Sequence, residues 1–166
     1  GYKDHTLGNI GSNWIARTGD KIPEITRFVF SSGTPTDYGA GAGANYIKAY
    51  NGTSRFNLWF DDGAGDVAPS GVNGTNTRVP ISGLSSTSDI ADAFKGVVDG
   101  LSAFSANRIS STVYVTSSAK GPGTAVGVEG TLESLDARIF RTGSNETPWT
   151  KPTEFGTFDD GNTPSP

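Results

Sequence analysis

The residues best suited to chemistry are three aspartates in the glycine-rich segment DDGAGD, namely Asp61, Asp62 and Asp66. Clustered carboxylates on a tight turn are ligands that calcium prefers. The D-x-D-x-D-G spacing of an EF-hand loop and its distant glutamate are missing here, however. Aspartates in turns also accept hydrogen bonds from neighbouring backbone N–H groups. We therefore predict a solvated turn with no metal, and calcium at these three aspartates is the alternative.

The sequence contains no pattern that supports acid–base or nucleophilic catalysis. The single histidine, His5, lies in a glycine-rich segment near the N-terminus, and no G-x-S-x-G elbow supplies a nucleophile. Glu129, Glu133 and Asp136 cluster in GVEGTLESLDA, as a glycosidase carboxylate pair requires, but the segment is turn-like and lacks an aromatic cleft. The runs GAGAG and GPG lack the Gly-Lys-Ser/Thr sequence of a phosphate loop. We therefore predict no catalytic residues, no cofactor and no enzyme activity.

The composition excludes several classes of partner. The chain has no cysteine, so a bacterial cytosolic, bacterial surface or virion protein fits better than a disulfide-stapled secreted one. Lysine and arginine number 13 against 17 acidic residues, and the basic residues are scattered, which argues against nucleic acid. No stretch reaches the roughly 20 apolar residues that a membrane-spanning helix needs. We expect no nucleic-acid or membrane partner.

The elements that must position these residues include one amphipathic helix. Ser86 and Asp89 are spaced like a capping box at its start. The apolar residues that follow recur at intervals of three and four: Ile90, Ala93, Phe94, Val97, Val98 and Leu101. This spacing predicts a helix over residues 88–103 whose apolar face packs on a sheet.

Strand signals surround this helix. An Asn-Gly dipeptide separates the aromatic runs ANYIKAY and RFNLWFDD and predicts a tight hairpin. TRFVF and TRVPI are shorter strand candidates, and Pro80 in the second indicates a sheet edge. The hairpin FSANRIS–TVYVTSS and a last strand, DARIFRTG, follow the helix. The sequence therefore predicts an α+β fold, a mostly antiparallel β-sheet with one packed α-helix.

Both ends of the chain have the composition of extended arms. We place an N-terminal arm and linker at 1–43, the α+β domain at 44–142 and a C-terminal arm at 143–166. The loop SSGTPTDYGAGAGA before the domain is predicted to be a flexible connector. Apolar residues spaced among glycines and prolines rarely fold on themselves. We expect the arms to bury five anchors on neighbouring subunits: Trp14, Ile15, Trp149, Phe155 and Phe158.

Three further aromatic residues, Tyr50, Trp59 and Tyr114, fall on outward positions of the predicted strands. Exposed aromatic rings can stack on sugars, or they can be buried against another subunit. We favour burial in a subunit contact, because the two arms also indicate assembly.

The region 45–141 resembles a module of tailed-bacteriophage virion proteins. The residues that carry the likeness are LWFDDGAGDVAP, TRVPI, STSDIADAFKGVVDGLSAF, FSANRIS and STVYVTSSAKGPGT. A weaker likeness exists to the variable modules of flagellins, which use a similar order of strands and helix. The resemblance implies a module for surface display, subunit contact or spacing.

The sequence and this resemblance together lead us to expect a structural component of a tailed-phage virion. Capsid decoration and a tail or fibre role both fit, with other copies of the chain and other virion proteins as partners. The particle would assemble in the bacterial cytoplasm. The alternatives are an adhesin module that binds a carbohydrate or receptor, such as a host-surface glycan, and a bacterial surface filament subunit.

Overall fold

The computed structural model describes residues 21–145, which form eight β-strands, one α-helix and one short 3-10 turn at Pro35–Asp37. The predicted α+β class is confirmed. In chain order the elements are β1 (Pro23–Phe30), β2 (Tyr46–Asn51), β3 (Ser54–Asp61), β4 (Thr75–Pro80), α1 (Thr87–Asp99), β5 (Phe104–Ile109), β6 (Thr112–Lys120), β7 (Gly127–Glu129) and β8 (Leu135–Arg141).

The strands divide between two sheets, where the sequence had predicted one. The first sheet has the order β5-β6-β1-β8 and is antiparallel throughout. The second has the order β4-β3-β2-β7 and is antiparallel except between β3 and β4. Both predicted hairpins form, and β4 with its Pro80 is an edge strand as expected. The division was not visible in the sequence because it depends on where the long connections carry the chain.

The folded unit begins earlier than predicted. Strand β1 lies inside the supposed arm 1–43, yet Phe28 pairs with Val113 on one side and with Ala137 on the other. Alternate residues of β1 are buried, as expected for a central strand with one face on the core. The boundary at residue 44 is therefore wrong, and the compact unit spans 21–145.

One aromatic cluster holds the two sheets and the helix together. The ring of Phe94 in α1 lies 5.0 Å from Phe28 and 5.4 Å from Phe30, which belong to the first sheet. The same ring lies 5.9 Å from Phe60 in the second sheet. All four side chains are fully buried, so the helix closes a core to which both sheets contribute.

The helix begins as predicted and ends early. The Ser86 hydroxyl caps it by accepting a hydrogen bond of 3.1 Å from the Asp89 N–H. The predicted end at residue 103 is wrong, because α1 stops at Asp99 before Gly100. The Asp99 carboxylate turns to β5 and accepts the N–H of Ala106 at 2.9 Å, which fixes how the chain leaves the helix.

The supposed flexible connector is packed. Tyr38 is fully buried, and its hydroxyl donates to the Ser32 carbonyl at 2.8 Å and accepts the Ser32 N–H at 3.0 Å. Ala40 is also fully buried, and its N–H donates to the carbonyl of Phe60 at 3.0 Å. The glycines of this segment allow its tight turns. Gly43, for example, has a φ of +82°, a conformation that glycine adopts readily.

Candidate functional site

The three aspartates of the acidic turn are occupied by protein groups. Asp66 accepts the N–H of Asp62 at 2.7 Å, and Asp62 in turn accepts the N–H of Ala64 at 2.7 Å. Asp61 forms an ion pair with Arg78 on the neighbouring strand β4. These contacts are those of a self-capped turn at the end of β3.

The electrostatics of this turn reflect its clustered carboxylates. The Ala64 N–H lowers the pKa of Asp62, but burial, the hydrogen bond with Asp66 and the charges of Asp66 and Asp61 together raise it above its ordinary value. Within residues 21–145 there is no group of three or more acidic, histidine or cysteine side chains able to hold a metal ion. The alternative of a calcium site at Asp61, Asp62 and Asp66 stays a prediction.

Two of the three acidic residues considered for glycoside hydrolysis form ion pairs with basic side chains. Glu129 in β7 pairs with Lys48, which lowers the pKa of the Glu129 carboxyl. Asp136 in β8 forms two ion pairs. Its Oδ1 lies 2.8 Å from Nε of Arg138, and its Oδ2 lies 3.6 Å from Nη2 of Arg27. Glu133 is exposed in the turn between these strands. Since β7 and β8 belong to different sheets, Glu129 and Asp136 are not neighbours along one strand pair.

Trp59 is not the surface aromatic that the sequence predicted. It is only 9% exposed, and it packs with Tyr46 and Ala40 under Ala68 and Val72. The loop between β3 and β4 supplies that cover.

Asparagine side chains hold this covering loop in place. The amide of the fully buried Asn57 donates to the Asn73 carbonyl at 3.1 Å and to the side chain of Asn76 at 2.9 Å. The amide of Asn76 then donates to the Pro69 carbonyl at 2.7 Å. The chain therefore covers the outer face of its own second sheet around Trp59 and Asn57.

Tyr50 pairs with Arg55 in the second sheet and is not fully exposed. It is half-buried at a narrow cavity of about 20 Å³ that both sheets line, a space on the scale of one water molecule. Glu24 of β1 lines the same cavity, and burial raises the pKa of its carboxyl.

Tyr114 does lie on an open surface, the outer face of the first sheet. Its ring stands edge-to-face on Phe140, with centroids 5.1 Å apart. Phe140 is 61% exposed and Ile109 is 62% exposed, which is unusual for large apolar side chains. Together they border a shallow concavity of about 470 Å³. Its lining comprises Ile25, Ser105, Ala106, Asn107, Ile109, Tyr114, Thr116 and Phe140.

This concavity is the candidate functional site, and the sequence predicted only Tyr114 of it. The sequence analysis predicted the last strand, DARIFRTG, but not that Phe140 lies on its outer face. Asp136 and Arg138 place alternate residues of β8 on a polar face, and Phe140 continues that alternation. An aromatic residue on a polar face was the available signal.

Other expectations lie beyond the described residues. The five proposed anchors Trp14, Ile15, Trp149, Phe155 and Phe158, and also His5, fall in 1–20 and 146–166, outside the part of the chain that the structure describes. No helix within 21–145 is long and apolar enough to cross a membrane. No protein-family model matches the chain, and no curated protein is significantly similar to it.

Proposed function

We propose that the chain is a structural subunit of a tailed-phage virion, in capsid decoration or in the tail or its fibres. The observation that carries the proposal is the contrast between the outer faces of the two sheets. The loop between β3 and β4 covers the apolar part of the second sheet's outer face at Trp59, whereas the first sheet presents Ile109 and Phe140 to solvent. Contiguous exposed apolar side chains mark surfaces that bind a partner.

The sequence resemblance supports the same role. Its motifs fall on β3, β4, α1, β5 and β6, so the likeness concerns the elements that build the core. A rigid core with one apolar face suits a protein repeated many times in a particle, because many weak contacts add up in a multivalent assembly.

Intact particles provide the direct test. Phage particles of the virus that encodes the chain are purified on a density gradient, and the chain is quantified in them by mass spectrometry. We expect a fixed copy number per particle and antibody labelling of either the shell or the tail. Absence of the chain from intact, infectious particles would overturn the proposal.

A second candidate function, carbohydrate binding by an adhesin module, is favoured by one feature of the concavity. The rings of Tyr114 and Phe140 lie beside the neutral polar side chains of Ser105, Asn107 and Thr116. Aromatic rings with a few polar groups around them are typical of ligand sites. Titration of the isotope-labelled chain with neutral mono- and disaccharides, followed by NMR, tests this function.

Saturable shifts confined to the concavity would favour the adhesin, provided that Phe140→Ala abolishes them. Phe56→Ala is not a suitable control, because Phe56 packs on the core. Val67→Ala is the better one, since Val67 is 51% exposed and lies on the covering loop of the other sheet. The absence of shifts in the wild-type chain would exclude these sugars and leave the subunit proposal in place.

A further inference from the structure

Within residues 21–145, four strands lie at sheet edges, and three of them are shielded. Strand β7 is only three residues long, and β4 ends in Pro80. Strand β5 lies against α1, where Asp99 accepts the N–H of Ala106. Natural proteins protect their sheet edges in these ways because an open edge pairs with other chains.

The fourth edge strand, β8, has no such protection among residues 21–145. It is seven residues long, it pairs there only with β1, and it carries the exposed apolar residues Ile139 and Phe140. The helix packs toward β5, at the opposite edge of the first sheet, so it does not shield β8. The free edge of β8 is therefore the place where another strand can be added.

The hydrogen-bonding pattern shows which groups this edge offers. The Ser31 N–H donates to the Ser134 carbonyl at 3.0 Å, so that pair is bonded across β1 and β8. Bonded and non-bonded pairs alternate along an antiparallel ladder. From Asp136 to Ile139 the register runs without a shift, so the N–H and C=O groups of Leu135, Ala137 and Ile139 point away from β1.

One antiparallel register uses all three of these residues. If Ala137 faces Ala137 of a second copy, then Leu135 faces Ile139 of that copy, and both of these residues bond across the edge. Asp136 then faces Arg138 of the second copy, and by the twofold symmetry Arg138 faces Asp136 of the second copy. These are non-bonded pairs, in which opposing side chains come closest.

The charges select this register against its neighbours. A shift of the register by two residues in one direction puts Asp136 opposite Asp136 of the second copy. A shift in the other direction puts Arg138 opposite Arg138 of the second copy. Like charges directly opposite each other destabilise a strand pair. Arg138 pairs through its Nε with Asp136 of its own chain, but its side chain is 71% exposed, so its other N–H groups can reach a carboxylate of a second copy.

We propose that two copies of the chain pair through the free edges of β8, antiparallel about a twofold axis at Ala137, and that their first sheets merge into one continuous sheet. The axis is perpendicular to the sheet, so both concavities lie on the same side of the merged sheet. The inference rests on the proposed function, since it names the partner and the contact of the structural subunit.

Charge reversal in the full chain tests the pairing and its register. Sedimentation equilibrium between about 10 µM and 1 mM, the range over which weak contacts with Kd near 1 mM or below are populated, should show a wild-type dimer. Asp136→Arg and Arg138→Asp each place like charges opposite one another, so each variant should be monomeric. Mixed in equal amounts they should form a heterodimer, which native mass spectrometry identifies by its mass.

Two further variants separate pairing from folding and from net charge. Ala137→Pro removes an outward N–H without breaking the ladder to β1, so it should abolish the dimer while circular dichroism stays unchanged. Lys120→Asp changes the net charge as Arg138→Asp does, but at an exposed residue remote from this edge in the sheet order, and should leave the dimer intact.

The outcomes separate this inference from the proposed function. A wild-type monomer across the concentration range overturns the edge pairing, as does a dimer that survives both charge reversals, which indicates another contact such as a terminal segment. A failure of the mixed variants to associate overturns the register. Presence in virions is decided independently by the particle analysis, so the pairing can hold where the virion role fails.

Discussion

The ring of Phe94 in α1 stacks on the ring of Phe60 in β3, with centroids 5.9 Å apart and planes inclined by 28°. Phe94 also contacts the two phenylalanines of β1 in the other sheet. One helical side chain thus links two sheets that share no strand. Removing the ring would therefore open a gap between three elements.

Phe94→Ala should therefore lower the free energy of unfolding by about 3–5 kcal/mol, the usual cost of a large cavity. Urea denaturation followed by tryptophan fluorescence measures the change. Phe140→Ala is the matched control, because it removes the same ring from a side chain that is 61% exposed. We expect less than about 1 kcal/mol for the control. Equal effects at the two positions would contradict the assignment of Phe94 to the core.

Deletions at the N-terminus should distinguish the terminal segment from the first strand. Removal of residues 1–20 leaves β1 whole, whereas removal of residues 1–25 takes away Pro23, Glu24 and Ile25. We expect a cooperative thermal transition for the shorter deletion and a transition at least several degrees lower for the longer one. The two transitions would coincide if β1 were dispensable, as the predicted boundary at 44 had implied.

The local features of the fold could be read from the sequence. The Ser86 cap, the Asn51–Ser54 hairpin and the edge position of Pro80 each depend on a few neighbouring residues, and all are confirmed. The central position of β1 could not be read, because its partners β6 and β8 lie far along the chain. A short strand shows its own pattern but not its neighbours.

The candidate site was predicted in part for the same reason. Tyr114 stands out as an aromatic residue between two valines on a strand, which a period of two detects. Phe140 joins it only because β6 and β8 both flank β1, a fact of topology. Trp59 showed the same local pattern as Tyr114 but is covered by a loop, so its burial could not be predicted from the strand alone.

Asn51 links the two sheets by a polar contact. Its side-chain oxygen accepts the hydroxyl of Ser117 and the N–H of Ala119, both at 2.6 Å. Asn51→Ala should cost about 1–3 kcal/mol of unfolding free energy, because it leaves a backbone donor of β6 without its acceptor. Asn51→Asp keeps both acceptor interactions and should cost less, as measured by urea denaturation. An equal loss in both variants would mean that the amide donor to Ser118, and not the oxygen, provides the link.

Glu24 makes stability depend on pH. Burial raises the pKa of its carboxyl above the ordinary 4.5, so ionisation is less favourable in the folded chain than in the unfolded one. The stability that the protonated group contributes is complete below the unfolded pKa and is lost as the pH rises through the folded pKa. Glu24→Gln should therefore raise the thermal midpoint at about pH 7, with the difference from wild type shrinking toward pH 4. Glu133→Gln is the matched control, because it removes the same charge at an exposed position.

Tyr38 offers the most direct test of the packed segment before β2. Its ring lies 5.7 Å from Phe30 and 5.6 Å from Phe60, and Tyr38→Phe keeps those contacts while removing the hydroxyl. The N–H and C=O of Ser32 then lose their partner, so we expect a loss of about 1–3 kcal/mol of unfolding free energy. Tyr114→Phe removes a hydroxyl from the half-buried outer face and should change stability by less than about 0.5 kcal/mol. If the Tyr38 variant were as stable as wild type, the two hydrogen bonds to Ser32 would add nothing to the free energy of unfolding, and the packing of the ring alone would hold the segment from 31 to 44.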